Sequence, residues 1–300
     1  MQYGSRGFRA GKWYCPMRHD NKVKIFSLSI IWLWLALFAL LPFGLIAVAS
    51  FLSHDQTNLL SLPLTFQNYT TLRNTIYLTI FEQSFYLAGL CTLICLILGY
   101  PFAYFIAQCE KRLKWLLLLL TIIPFWTSSL IRTYSMITLL KAKGVINSIL
   151  CWLGIIHQPL PILFSDVAVM IGLVYNLLPF MIFPLITNIE RLDHRLVDAA
   201  RDLGANRLTT FSKIILPLTL PGILSGCILV FLPAMTIFYI PDLLGGSKAM
   251  LLGNLIQNQF LVAQNWPLGS AISIVFMLVL VCLLLIYWRS TRGKAKRTLA

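Results

Sequence analysis

The stretch Asp198-Ala199-Ala200-Arg201-Asp202-Leu203-Gly204, followed by Ile214-Ile215-Leu216-Pro217, is a charged interruption between two apolar blocks. The blocks cover roughly 166–188 and 214–237, and each is long enough to cross a bilayer. At 100° per residue, a helix over 191–203 puts Leu192, Leu196, Ala199 and Leu203 on one face. Arg191, Arg195, Asp198 and Asp202 gather on the neighbouring face. Asp193 is the expected N-cap, because its carboxylate accepts from a backbone N–H that has no partner within the helix. Gly204 is the expected left-handed residue that ends the helix. Asn206 then caps a second short helix that runs into Ile214 and the fifth span, giving a helix–turn–helix elbow against the membrane. One reading of the elbow is an amphipathic connector lying at the interface. The other is a docking surface for a protein, which the balanced charges favour, since a lipid-binding face is mostly Lys and Arg.

The rest of the chain supports a membrane protein. Of its 300 residues, 58% are hydrophobic and 11% charged, against about 25% charged in a soluble domain. Six segments satisfy the requirement of roughly 20 mostly apolar residues, at about 25–52, 81–107, 115–139, 166–188, 214–237 and 267–287. Pro42 inside the first predicts a kink or tilt. Residues 53–80 read as a loop. The mixed stretch 241–266, with Gly245-Gly246, Asn254, Gln257 and Gln259, reads as a re-entrant or interfacial element.

Nineteen of the 24 Lys and Arg residues fall in the N-terminal tail, the loops after the second and fourth spans and the C-terminal tail. That bias places both termini in the cytoplasm. It also accounts for the net charge of +14 without a nucleic acid partner, because a basic face beside anionic lipid is ordinary. The expected organisation is a basic tail at 1–24, a six-helix membrane domain at 25–288 and a basic tail at 289–300. Residues 1–24 lack the apolar core of a cleavable signal.

Chemistry-bearing clusters are scarce. Cys91 and Cys95 lie one helical turn apart, which suits either a soft metal or, as we read them, small packing residues. His19, His54, His157 and His194 have no metal-ligand spacing. Gly245-Gly246-Ser247-Lys248 has the wrong order for a phosphate-binding loop. Prolines recur inside or beside the spans at 42, 101, 124, 179, 184, 217, 221 and 233. Membrane helices tolerate such prolines, and transporters also use them to free carbonyls along a path.

The spacing Asp198-Ala199-Ala200, Gly204, Ile214-x-Leu216-Pro217 resembles the cytoplasmic loop of ABC importer permeases, with Asp198 where that family usually has Glu. Leu98-Gly99-Tyr100-Pro101-Phe102-Ala103, Pro124-Phe125-Trp126-Thr127, Leu130-Ile131-Arg132-Thr133-Tyr134 and Pro241-Asp242-Leu243-Leu244-Gly245-Gly246 are similar to the spermidine/putrescine permeases within it. The resemblance covers about residues 25–290. It implies an all-α membrane protein with the six-helix, MetI-like fold of binding-protein-dependent permeases, in a bacterial inner membrane. It further implies that the loop at 190–213 couples to an ATPase through Arg195, Asp198, Ala199, Ala200, Asp202, Gly204, Leu216 and Pro217. The implied partners are two copies of that ATPase, which would bind ATP and Mg, a second permease and an external solute-binding protein. The chain itself is then not an enzyme and binds no cofactor.

Polyamine cations need carboxylates for charge and aromatic faces for cation–π contact. Candidate path residues are Glu82, Asp166 and Asp242, with Trp126, Tyr134 and Tyr239 as aromatic faces. The ordinary reading of each acid is a solvated helix end, and of each aromatic an interfacial anchor. Arg132 is out of place in a cation route and is expected to snorkel outward or pair with an acid. Two rival readings are an importer of this class for another solute, such as an inorganic anion or ferric ion, and a secondary transporter. The latter would need buried, paired ionisable groups mid-span, which are nearly lacking.

Overall fold

The computed structural model describes residues 21–53, 62, 64–246 and 250–295. The first twenty residues of the basic tail, His19, His54, Lys248 and the last five residues lie outside the described residues. The chain divides into two compact units, Met1–Val48 and Ala49–Ala300.

Among the described residues, five helices are long and apolar enough to span a membrane, and a bent pair gives a sixth span when its two halves are counted together. The first unit carries α1 (Ile25–Ala49) except for its last residue. In it a π-helical turn, Ala36–Leu40, stands one residue before Pro42. Proline lacks the N–H owed to the carbonyl four residues back, and its ring crowds that carbonyl. Widening the preceding turn relieves both, so Pro42 is accommodated by a π turn within the helix. The same arrangement recurs in the fifth span, where the π turn Phe211–Ile215 stands one residue before Pro217.

In the second unit, α2 (Gln67–Thr71) precedes α3 (Thr75–Gln108). The segment expected as a loop to residue 80 is thus partly helical. The Asn68 amide donates to the Ser50 and Leu52 carbonyls at 3.0 and 2.9 Å, tying α2 to the preceding chain. With 34 residues α3 is about 51 Å long, well beyond the ~30 Å hydrocarbon core.

The third span departs from the single helix expected over 115–139. Helix α4 (Lys111–Ile122) passes into a 3-10 turn, Ile123–Trp126, and the chain resumes as α5 (Ser129–Leu140) and α6 (Val145–Trp152). The two halves meet at 91°. The physical reason is local: Pro124 cannot donate, and Thr127 and Ser128 turn extended, with ψ of 149° and 136°. The Thr127 hydroxyl then satisfies the Pro124 carbonyl at 2.8 Å. Buried Asn147 fastens the far end, donating to the Lys141 and Leu160 carbonyls and accepting from the Leu160 N–H.

Helices α7 (Asp166–Ile189), α9 (Arg207–Thr236) and α3 form the centre of this unit. Between α9 and the last span lies a short helix, α10 (Leu252–Gln257), and the last span is α11 (Trp266–Ala295). Helix α3 presents Ala88, Cys91, Cys95, Gly99 and Ala103, a stripe of small buried residues at helical spacing. Cys91 and Cys95 are fully buried and free, in the packing role. Met181 of α7 sits fully buried between two glycines. A Cβ on Gly226 of α9 would lie 2.7 Å from its sulfur, and one on Gly99 3.2 Å from its Cγ. The Tyr100 and Thr219 hydroxyls join α3 to α9 at 3.0 Å. Helices α3, α7 and α9 continue through Pro101, Pro179, Pro184, Pro221 and Pro233, so these prolines open no break.

Candidate functional site

The elbow after α7 is built by capping. Helix α8 (His194–Asp202) starts at Asp193, whose Oδ1 accepts from the Arg195 N–H at 3.0 Å. It ends at Gly204, with φ +81°. The Gly204 N–H donates to the Arg201 carbonyl at 2.9 Å and the Ala205 N–H to the Ala200 carbonyl at 3.0 Å. Those two bonds form a Schellman motif, which closes carbonyls that the helix end would otherwise leave unpaired. Asn206 Oδ1 accepts from the Thr209 N–H at 2.7 Å and starts the next helix. All three end residues expected from the sequence stand where they were placed. The second helix of the elbow runs on into the fifth span, as expected. The π turn before Pro217 carries it into the span, so α9 is continuous from Arg207 to Thr236.

Packing divides the face that helical periodicity drew as one. Ala200 is buried and Val197 and Leu192 half-buried, seating the elbow on the bundle. Leu196, Ala199 and Leu203 point away from it, and Leu203 is 89% exposed. Leu208, across the turn, is 79% exposed. Arg195, Asp198 and Asp202 are exposed around these apolar groups, as are Leu216 and Pro217 on α9. Arg201 and Asp198 approach to 3.9 Å with both side chains more than 60% exposed, a pair of negligible energy. The elbow is thus a rigid, doubly capped projection carrying bare leucines within a charged rim.

Behind it lies a cavity of about 680 Å³ bordered by Tyr104, Gln108, Lys114, Glu190 and Asp198. Lys114 Nζ meets Glu190 Oε1 at 3.0 Å, joining α4 to the end of α7. The two side chains are 23% and 40% exposed, so water screens the pair. Glu190→Gln is expected to change stability by less than about 1 kcal/mol, read as the thermal midpoint of the detergent-solubilised protein.

The other candidate residues are spread along the chain. Glu82 is exposed on α3, inside the helix instead of at its start. Asp166 opens α7 beside its cap, Ser165, which accepts from the Ala168 N–H at 3.3 Å. Asp166 borders a cavity of about 560 Å³ with Gln83 and Tyr86 of α3, a lining that does not include Glu82. Trp126 and Tyr134 flank the break in the third span and are 79% and 58% exposed. Tyr239 is half-buried and meets Phe238 edge-on, with ring centroids 6.0 Å apart. Asp242 lies in a π turn, Pro241–Gly245, where its carboxylate accepts from the Asn254 amide.

Arg132 neither snorkels outward nor pairs with an acid. Its guanidinium carbon stands 4.4 Å from the Phe125 ring centroid and 5.9 Å from that of Tyr175. Nε and Nη1 are buried without a hydrogen-bond partner, and the ring faces supply the attraction. The sequence showed Phe125 nearby but gave no sign of Tyr175, which α7 brings in. Asn254 was visible only as one polar residue in a mixed stretch. Buried in α10, it is the partner of Asp242.

A bundle of long apolar helices with one capped, exposed elbow defines a polytopic membrane subunit. Residues 97–291 match the family described as binding-protein-dependent transport system inner membrane component, and the chain belongs to that family. It is accordingly an inner-membrane ABC permease subunit. The spermidine/putrescine transport system permease protein PotB of Haemophilus influenzae is 47% identical over 273 residues, 91% of this chain and 96% of that protein. PotB of Escherichia coli K12 is 50% identical over 259 residues, 86% and 94% of the two chains. A chain of the crystal structure of a bacterial ABC transporter involved in alginate import has the same fold. It superposes with a TM-score of 0.73 at 18% identity, covering 91% of this chain and 96% of that one. A second structure of a bacterial alginate ABC transporter, in complex with a pentasaccharide-bound periplasmic protein, gives 0.72 at 18% identity. It covers 89% of this chain and 92% of that one.

Proposed function

We propose that this chain is half of the translocation path of an ATP-driven polyamine importer, with spermidine and putrescine as its substrates. The observation that carries the reading is its 47–50% identity to spermidine/putrescine permeases over nearly their whole length. Two copies of an ATPase subunit bind ATP and Mg, a second permease completes the path, and an external solute-binding protein delivers the substrate. The basic tails and loops lie on the cytoplasmic side. The α8 elbow sits in the ATPase, with Leu196, Ala199 and Leu203 as apolar anchors. Arg195, Asp198 and Asp202 form its charged rim. Gly204 supplies the turn, Ala200 seats the elbow, and Leu216 and Pro217 start the rod it drives. Closure of the ATPase dimer on ATP moves the elbow, and α9 follows as a rigid body.

Glu82, Asp166 and Asp242 attract the substrate cations, and Trp126, Tyr134 and Tyr239 offer ring faces along the way. The deciding experiment is uptake of labelled spermidine, in competition with putrescine, into proteoliposomes holding the complete transporter. Uptake driven by ATP and insensitive to ion gradients is the expected result. Uptake driven by a gradient without ATP would sink the reading. Asp242→Asn is expected to lower spermidine uptake roughly tenfold, about the loss of one charged contact, with the ATPase still bound. Unchanged uptake would remove Asp242 from the path.

A further inference from the structure

We infer that Asn254 is the positioning residue of the solute path, holding the Asp242 carboxylate in place for a substrate ammonium group. The inference rests on the polyamine reading above.

Its ground is a polar clasp at the break that follows α9. Ile237 turns extended after Thr236, with ψ 115°, and ends the helix. The Phe238 carbonyl then stands at the start of the next helical turn, which runs into Pro241–Gly245. It accepts from the Asp242 N–H at 3.2 Å and from Asn254 Nδ2 at 2.7 Å. The same Nδ2 donates to Asp242 Oδ1. Both amide protons of Asn254 are thus used, one on a backbone carbonyl and one on the carboxylate. Asn254 is 5% exposed while Asp242 is exposed. The amide therefore grips the carboxylate from the protein side and leaves its other face open to solvent.

The gripping residue is itself fixed. The Leu252 N–H donates to Ser84 Oγ of α3 at 2.9 Å, and Ser84 in turn donates to the Ile80 carbonyl at 2.7 Å. Gly253 lies so close to α9 that a Cβ there would strike the Thr236 carbonyl oxygen. Asn254 follows directly, held between α3 and α9. An acid on a flexible turn would spread over many rotamers and lose much of its worth as a cation site. Held by a buried amide, it is presented in one orientation, which is the usual role of the shell behind a binding group. Helix α10, too short to span a membrane, is explained as the carrier of that amide.

The test is a double-mutant cycle in the complete reconstituted transporter, with labelled spermidine as the probe. Asn254→Leu keeps the approximate volume and removes both donors. Asn254→Ser serves as a second, smaller polar variant should leucine hinder assembly. In the Asp242 background either change is expected to raise the KM for spermidine about tenfold, with the maximal rate little altered. In an Asp242→Ala background the same change is expected to move KM by no more than about twofold, since its target is gone. A purely structural Asn254 would cost the same in both backgrounds, so equal effects overturn the inference, as does an unchanged KM. Wild-type transporter that takes up no spermidine would instead bring down the substrate reading, and the inference with it.

Discussion

Replacing Ala200 with Glu is expected to abolish uptake while the protein still inserts in the membrane. Ala200 is 7% exposed and is the point at which the elbow rests on the bundle. A carboxylate there must either be buried unpaired, at a cost of several kcal/mol, or lift α8 off its seat. Either way the projection no longer stands where a partner can grip it. A companion change separates seating from docking. Leu203 is 89% exposed, so Leu203→Asp leaves the fold alone. It is expected to weaken ATPase binding by about 2 kcal/mol or more, the scale of a central apolar anchor. Gly204→Glu acts differently again. Nothing lies within 4 Å of a Cβ there, but the left-handed backbone, φ +81°, costs any side chain about 1–2 kcal/mol. Co-purification of the ATPase and ATP-driven uptake read out all three variants. Normal values for Ala200→Glu and Leu203→Asp together would refute the elbow as the coupling element.

The second large effect is on the bundle itself. Gly226→Leu is expected to destabilise the protein by about 1–3 kcal/mol, the range for overpacking a well-filled core. The Cβ alone would stand 2.7 Å from Met181 Sδ and 3.3 Å from the Met181 carbonyl oxygen. The sulfur can swing aside, but the carbonyl belongs to α7 and cannot. Helices α7 and α9 must then separate, which also frees the α3 face at Gly99. Met181→Ala in the same protein should recover part of the loss by removing the sulfur. The thermal midpoint of purified, detergent-solubilised protein measures both, and an unshifted midpoint for Gly226→Leu would show that the α7–α9 contact is not tight.

What the sequence made legible was local. Asp193, Gly204 and Asn206 act on backbone groups a few residues away, so their roles follow from spacing alone. The packing role of Cys91 and Cys95 and the apolar length of the spans are likewise properties of single segments. The break in the third span was not legible. Pro124 looks no different from Pro101 or Pro179, around which α3 and α7 run on. The distinction is made by the extended Thr127 and Ser128 and by the fastening of the far half through Asn147. Arg132 was misread for a similar reason, because one of its two ring partners, Tyr175, arrives on another helix.

The sequence by itself determined that the chain crosses a membrane several times and carries a capped elbow between two spans. Hydrophobic length and helix capping are short-range effects, settled within one segment whatever its neighbours do. Tertiary packing decided which side of the elbow is bare, because only contact with the bundle covers Ala200 and leaves Leu203 in the open. It also decided that Asp242 is held by Asn254, since hydrogen bonds between separate elements exist only once α3 and α9 have brought those elements together.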